Sequence, residues 1–138
     1  MSPDAFHAIV AEEFPRAIPE RFVSQIHNVA FLVEDEPTQE VRTQEGLSIN
    51  ETLLGYYRGI PATLRGDVYG VGATLPDSIV LYRLPIIQEA QYLCGDVSAL
   101  FEERVRQVVR ETIWHEVAHH FGMGEHEVRR REKERNKK

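Results

Sequence analysis

The sequence predicts one α/β (α+β) domain, residues 1–138, organised around a long helix near the C-terminus. Two runs are typical of buried strands: "NVAFLVEDEP" at residues 28–37 and "DSIVLYRLP" at residues 77–85. From Val97 or Ser98 onward, apolar side chains instead recur every three or four positions, as on the buried face of a helix. These positions are Leu100, Phe101, Val105, Val108, Val109, Ile113, Val117 and Phe121.

The remaining elements follow from shorter signals. Residues 4–14 place apolar side chains on one helical face, and Pro15 with Pro19 should bracket a break before a second short helix. The continuous apolar run at 28–37 predicts a strand buried on both faces. Residues 55–76 are rich in glycine and proline, which predicts a long loop or a pair of short strands. A helix should then run from residue 85 to Gly95.

Composition places the chain among soluble proteins. Its 42% hydrophobic and 28% charged residues are ordinary for a globular domain, and no apolar run approaches the ~20 residues of a membrane span. The N-terminus has no cationic segment before an apolar one, so we expect no signal peptide. A single cysteine, Cys94, excludes an internal disulfide framework. We therefore expect a cytoplasmic protein without a membrane partner.

Charge is distributed unevenly along the chain. Residues 129–138 hold seven basic and two acidic side chains, a charge of +5. Because the whole chain carries −6, the other 128 residues carry −11. A region with this much negative charge repels the phosphates of nucleic acid, so we do not expect nucleic acid as the main partner. The basic tail is more typical of a solvated, fraying helix end.

The predicted long helix carries a metal-binding pattern in its last turns. His115 and His119 are four residues apart, so their side chains differ by about 40° around the helix axis and can reach one ion. Glu116 is rotated by about 100° from His115, beside the ion, where a carboxylate can take a proton from water. The residues form the pattern H-E-x-x-H, which is typical of zinc metalloproteases.

A catalytic zinc site needs a third protein ligand. Gly122 permits a sharp turn after His119, and Glu125 then completes the spacing H-E-x-x-H-x-x-G-x-x-E. Glu125 is our favoured third ligand; the alternatives are His126, a residue elsewhere, or no third ligand at all. His120 lies about 140° from His115 around the axis, and we interpret it as a hydrogen-bonded core histidine that points away from the metal.

The parts together predict a hydrolytic mechanism. Zinc would activate a water, Glu116 would act as the general base, and the zinc with a Tyr or Arg would stabilise the negative charge that develops. The sequence offers four candidates for that side chain and does not choose among them: Tyr57, Arg58, Tyr69 and Tyr82.

Four segments, at residues 28–37, 53–66, 75–86 and 109–128, make the chain similar to the minimal metalloprotease-like (minimal zincin) family of small bacterial proteins. The resemblance implies a zincin-like fold, with a small mixed sheet packed on the H-E-x-x-H helix between N-terminal and C-terminal helices. It also implies zinc bound by His115 and His119, with Glu125 in the position where related sites carry Asp or His. An edge strand would hold a peptide or an unfolded protein segment.

Two functions from different classes follow. The first is a zinc metallopeptidase that hydrolyses peptide bonds, which Glu116 favours. The alternative is a non-catalytic metal-binding or protein-interaction module that retains the zincin fold, which the small size of the chain favours.

Overall fold

The described structure is a small mixed sheet with helices around it. A computed structural model describes residues 1–20, 29–59 and 77–120. Its elements run in this order: α1 (Pro3–Ala17), β1 (Val29–Glu34), α2 (Gln39–Gln44), β2 (Gly55–Arg58), β3 (Asp77–Tyr82), α3 (Arg83–Cys94), a 3₁₀ turn (Ser98–Leu100) and α4 (Phe101–His120). The predicted α+β class is confirmed.

Strand β3 lies at the centre of the described sheet, whose order is β1-β3-β2. β1 runs parallel to β3 and β2 runs antiparallel to it. The prediction that β1 is buried on both faces is wrong, because every one of its residues is at least partly exposed and Leu32 is 43% exposed. Phe31 and Val33 pack on the core, and Leu32 projects from the opposite face of the sheet. The apolar run is continuous because this outward residue is also apolar, although it is exposed.

Helix α4 is the central element of the core, as its apolar periodicity predicted. It packs against α1, α3, β2 and β3. The helix begins at Phe101, after the 3₁₀ turn, so the predicted start at Val97 or Ser98 falls within a few residues of the observed one. The predicted end at Gly122 and Gly124 lies outside the described residues, as do the tail 129–138 and the second short helix after Pro19. The buried apolar residues of α4 are Val105, Val108, Val109, Ile113, Trp114, Val117 and Ala118.

Helix α1 continues through Pro15, which the sequence indicated as a break. The helix begins with Pro3 behind the Ser2 cap, whose Oγ accepts the Ala5 N–H at 3.1 Å, and it ends at Ala17. Proline removes one N–H and therefore one helical hydrogen bond. The last turn persists because Ala17 is fully buried, so tertiary packing outweighs the local cost.

No helix in residues 1–20, 29–59 or 77–120 combines the length and apolar character that a membrane span requires.

A buried carboxylate joins α1 to α4. Glu13 is fully buried and accepts hydrogen bonds from Arg106 Nη1 at 2.9 Å and from Arg110 Nη1 at 2.8 Å. Burial raises the pKa of the Glu13 carboxyl, but the hydrogen bonds from Arg110 and Arg106 outweigh that effect, so the pKa lies below its ordinary value. The ionised cluster therefore stabilises the contact between the two helices.

Replacing Glu13 should cost stability in a pH-dependent way. We expect Glu13→Gln to lower the free energy of unfolding at neutral pH by about 2 kcal/mol, because two charged hydrogen bonds are weakened. A lowered pKa in the folded state means that the unfolded state binds the proton more readily. The contribution is therefore complete above the ordinary glutamate value of 4.5 and is lost as pH falls below it.

Urea denaturation at several pH values measures this effect. The difference between wild type and Glu13→Gln should shrink as the pH is lowered through the acidic range. Glu12→Gln is the matched control, since Glu12 pairs with the same Arg106 at 2.7 Å but is largely exposed. We expect it to cost less than about 1 kcal/mol. Equal losses in the two variants would contradict the assigned role of Glu13.

Candidate functional site

Two imidazoles and a carboxylate meet near the end of α4. The ring centroids of His115 and His119 are 4.6 Å apart, with 56° between the ring planes. Glu116 follows His115 directly and interacts electrostatically with both His115 and His119. The helix thus brings together three of the four predicted site residues.

Glu116 also contacts the sheet. The backbone N–H of Tyr57 in β2 donates a hydrogen bond to its carboxylate. Burial raises the pKa of the Glu116 carboxyl above its ordinary value, and the two histidines and the Tyr57 N–H offset only part of that rise. The carboxylate is therefore a stronger proton acceptor than a solvated glutamate.

Gly55 allows this hydrogen bond by letting β2 lie very close to α4. A Cβ on Gly55 would be 2.6 Å from Thr112 Cγ2 and 3.1 Å from the Val80 carbonyl oxygen. Thr112 cannot simply move aside, because it is buried and its hydroxyl donates to the Val108 carbonyl at 2.7 Å. Sequence reasoning did not single out Gly55 for this role. The available signal was a glycine at the start of a strand, which often marks a close backbone approach.

The side chain of Tyr57 is held on both sides. Its hydroxyl donates to Asp77 Oδ2 at 2.7 Å, and its ring stacks on His120 with centroids 3.8 Å apart and 12° between the planes. Asp77 and His120 therefore fix the residue whose main chain contacts Glu116. The prediction that His120 belongs to the core is wrong, because 40% of its side chain is exposed. One face of its ring stacks on Tyr57 at the end of α4, and the rest of the side chain is not enclosed.

The four side chains that the sequence offered for stabilising the negative charge of the reaction lie in different surroundings. The Tyr57 hydroxyl is engaged by Asp77, as described above. Arg58 lies 3.7 Å from Glu34, on the face of the sheet opposite Gly55 and Tyr57. Tyr82 is fully buried, and burial raises the pKa of its phenol to about 12. Tyr69 lies outside the described residues.

The third metal ligand predicted from the sequence is not among the described residues. Glu125 and its alternative His126 both lie outside the described residues. Within the described ranges, no three His, Cys, Asp or Glu side chains are arranged to hold a metal ion. The described residues thus provide the histidine pair alone, and the assignment of Glu125 stays a prediction.

The model of the zincin-like metallopeptidase family matches residues 26–135, which is most of the chain. The chain belongs to this family. A search of curated proteins finds no match. The match confirms the resemblance inferred from the sequence, and it covers the sheet, the H-E-x-x-H helix and Glu125. Membership implies a metal cofactor, typically zinc.

The donor set of this zincin-like chain fits such an ion. Imidazole nitrogen is a preferred zinc ligand, and His115 and His119 project from successive turns with their rings 4.6 Å apart. Glu116 is held by β2 and is thereby drawn toward the sheet. The described residues therefore fit two zinc ligands with a carboxylate beside them.

A methyl group at position 55 should disturb this arrangement. We expect Gly55→Ala to lower the free energy of unfolding by about 2 kcal/mol, because the new Cβ would overlap Thr112. Gly59→Ala is the matched control in the same segment, since its Cβ would meet nothing closer than Asp77 Oδ1 at 3.9 Å.

Chemical denaturation of both variants measures the cost. The variant Gly55→Ala/Thr112→Ser should recover part of the lost stability, because serine keeps the hydroxyl and removes the overlapping methyl. Equal stability of Gly55→Ala and Gly59→Ala would show that β2 does not depend on the close approach.

Proposed function

We propose that the protein is a zinc-dependent peptidase in which His115, His119 and Glu125 hold the ion and Glu116 is the general base. One observation carries the proposal: the carboxylate beside the histidine pair is half-buried, has a raised pKa and is oriented by the Tyr57 backbone N–H. A glutamate that served only solubility would not be held between a helix and a sheet. Catalytic bases are commonly tuned by such burial.

The steps assigned to the chain's own residues are proton transfers. Zinc, when bound, would supply Lewis-acid polarisation of the peptide carbonyl and of the attacking water. Glu116 would accept the proton of that water and later donate it to the leaving amine. Its hydrogen bond from Tyr57 would keep the carboxylate oriented during both transfers.

Strand β2 suits a peptide substrate. In the described sheet it pairs with β3 on one side only. The Tyr82 N–H donates to the Leu54 carbonyl at 3.0 Å, so alternation turns the main-chain groups of Gly55 and Tyr57 away from β3. An extended peptide or unfolded segment could add to this edge through main-chain groups other than the Tyr57 N–H, which donates to Glu116, and would then lie beside that carboxylate.

The non-catalytic alternative has one observation in its favour. Of the four side chains considered for stabilising negative charge, Tyr57 and Arg58 are engaged by acidic residues and Tyr82 is buried. A binding module would need no such side chain. It would bind metal or a peptide and leave the peptide intact.

Glu116→Gln separates the two functions. For the peptidase, we expect both wild type and variant to carry about one zinc per chain, while the variant's kcat/KM falls by about 10²- to 10⁴-fold. Metal analysis of untagged protein and cleavage of a quenched peptide library provide the readouts. Glu102→Gln, on the exposed face of the same helix, should retain full activity. Equal cleavage by wild type and Glu116→Gln would disprove the assigned base.

The third ligand is tested by zinc affinity. We expect Glu125→Ala to weaken zinc binding by more than about 100-fold, a larger loss than removal of an outer-shell partner causes. His126→Ala should change it by less than about threefold. A competition titration with a chromogenic chelator gives both constants, and the reverse order would assign His126 as the ligand.

A further inference from the structure

Strand β2 lies along a single stripe of α4. The stripe consists of Thr112, Glu116 and His120, which are four residues apart and therefore on one side of the helix. Gly55 of β2 meets Thr112 at one end of this stripe. Two residues further along the strand, the Tyr57 N–H donates to Glu116 and the Tyr57 ring stacks on His120. The Glu116 carboxylate is thus held between two contacts, each one turn of helix away.

Asp77 binds the side chain of Tyr57 from the neighbouring strand. Tyr57 lies opposite Ile79 in the antiparallel pair, so Asp77 is two residues away along β3 on the same face of the sheet. A tyrosine reaches such a diagonal neighbour, and its hydroxyl donates to Asp77 Oδ2 at 2.7 Å. His120 Nε2 lies 3.9 Å from the same oxygen. The three side chains therefore form one cluster where β3 begins and the described part of α4 ends.

The contact between Asp77 and Tyr57 is well placed to restrict the strand. Only 14% of the Asp77 side chain is exposed, and a carboxylate with so little access to water is stabilised by donors within the protein. A hydrogen bond to a carboxylate is also shorter and stronger than one between neutral groups. The contact therefore limits where the ring of Tyr57 can lie, and through the ring it limits the main chain of the same residue.

The Tyr57 N–H takes no part in the pairing of β2 with β3. The Tyr82 N–H donates to the Leu54 carbonyl at 3.0 Å, so alternation gives the next pairing hydrogen bonds to Tyr56. The N–H of Tyr57 points away from β3 and donates to Glu116 instead. Hydrogen bonds weaken steeply when they are misaligned, so a small rotation of β2 would release the carboxylate.

We propose that Asp77 is a positioning residue of the site: through the Tyr57 hydroxyl it holds the Tyr57 N–H against the Glu116 carboxylate. The inference rests on the proposed peptidase function, in which an oriented Glu116 transfers protons. Asp77 acts through Tyr57 and has no role in binding the substrate. Loss of its acceptor oxygen should therefore misdirect Glu116 and slow the reaction without changing how tightly the substrate binds.

Amide hydrogen exchange of the full chain tests the positioning without any catalysis. In Asp77→Ala the Tyr57 amide should exchange about tenfold faster than in wild type, because its hydrogen bond opens more readily. The Tyr56 amide, which pairs with β3, is the internal reference and should change by less than about twofold. Asp77→Asn keeps an acceptor oxygen for the Tyr57 hydroxyl, so its Tyr57 exchange should stay within about threefold of the wild-type rate.

Peptide cleavage by the zinc-loaded variants tests the consequence for the reaction. We expect Asp77→Ala to lower kcat about tenfold with KM within about twofold, because Glu116 is displaced and substrate binding is not. Asp77→Asn should recover most of this loss. Asp96→Ala removes an exposed carboxylate in the turn after α3 and should retain the wild-type kcat. Tyr57→Phe, which removes the hydroxyl and keeps the ring, should reproduce both effects should Asp77→Ala fail to fold.

The outcomes separate this inference from the function on which it rests. Equal acceleration of exchange at Tyr56 and Tyr57 in Asp77→Ala would show a role in stability alone and overturns the inference. An unchanged Tyr57 rate, a KM that rises as kcat falls, or an Asp77→Asn variant that behaves like Asp77→Ala also overturns it. Absence of cleavage by the wild type overturns the peptidase, and the exchange rates then still decide whether Asp77 positions the Tyr57 N–H.

Discussion

The close approach of β2 to α4 is the contact on which the rest of the site depends. Gly55 leaves no room for a side chain against Thr112, so the strand lies directly on the helix that carries His115 and Glu116. This proximity lets the Tyr57 N–H reach the Glu116 carboxylate. The same contact brings the chain leading into β2 and helix α4 together as two sides of a groove beside His115 and Glu116. A single glycine thus couples the orientation of the proposed general base to the shape of the neighbouring surface.

A second contact, between α1 and α4, also holds α4 in place. Glu13 of α1 is buried between Arg106 and Arg110, which lie on the side of α4 that contacts α1. An ionised group buried this deeply is tolerated only because both of its oxygens have charged donors. Helix α4 therefore has a charged contact on one side and the tight β2 contact on another. Such support suits a helix whose histidines would hold a fixed geometry as the proposed metal ligands.

The sequence predicts what depends on local spacing. The H-E-x-x-H pattern and the long apolar periodicity of α4 were sufficient to locate His115, Glu116 and His119 on one helix, and strand β3 was also evident. The features that the sequence did not predict depend on contacts between residues that are far apart in the sequence. Nothing near Tyr57 indicates that its main chain meets Glu116, and nothing near Glu89 indicates that it shares a groove with Glu111. Pro15 indicated a helix break, but tertiary packing of α1 outweighed that local preference.

The most direct test of the proposed zinc centre is X-ray absorption at the zinc edge of the metal-loaded protein. The account predicts two histidine nitrogens at about 2.0–2.1 Å, with oxygen donors completing the coordination and no sulfur ligand. His119→Gln should reduce the histidine contribution to one ring. A thiolate ligand, which Cys94 alone could supply, or a wild-type spectrum unchanged by His119→Gln would contradict a site built on the α4 histidine pair.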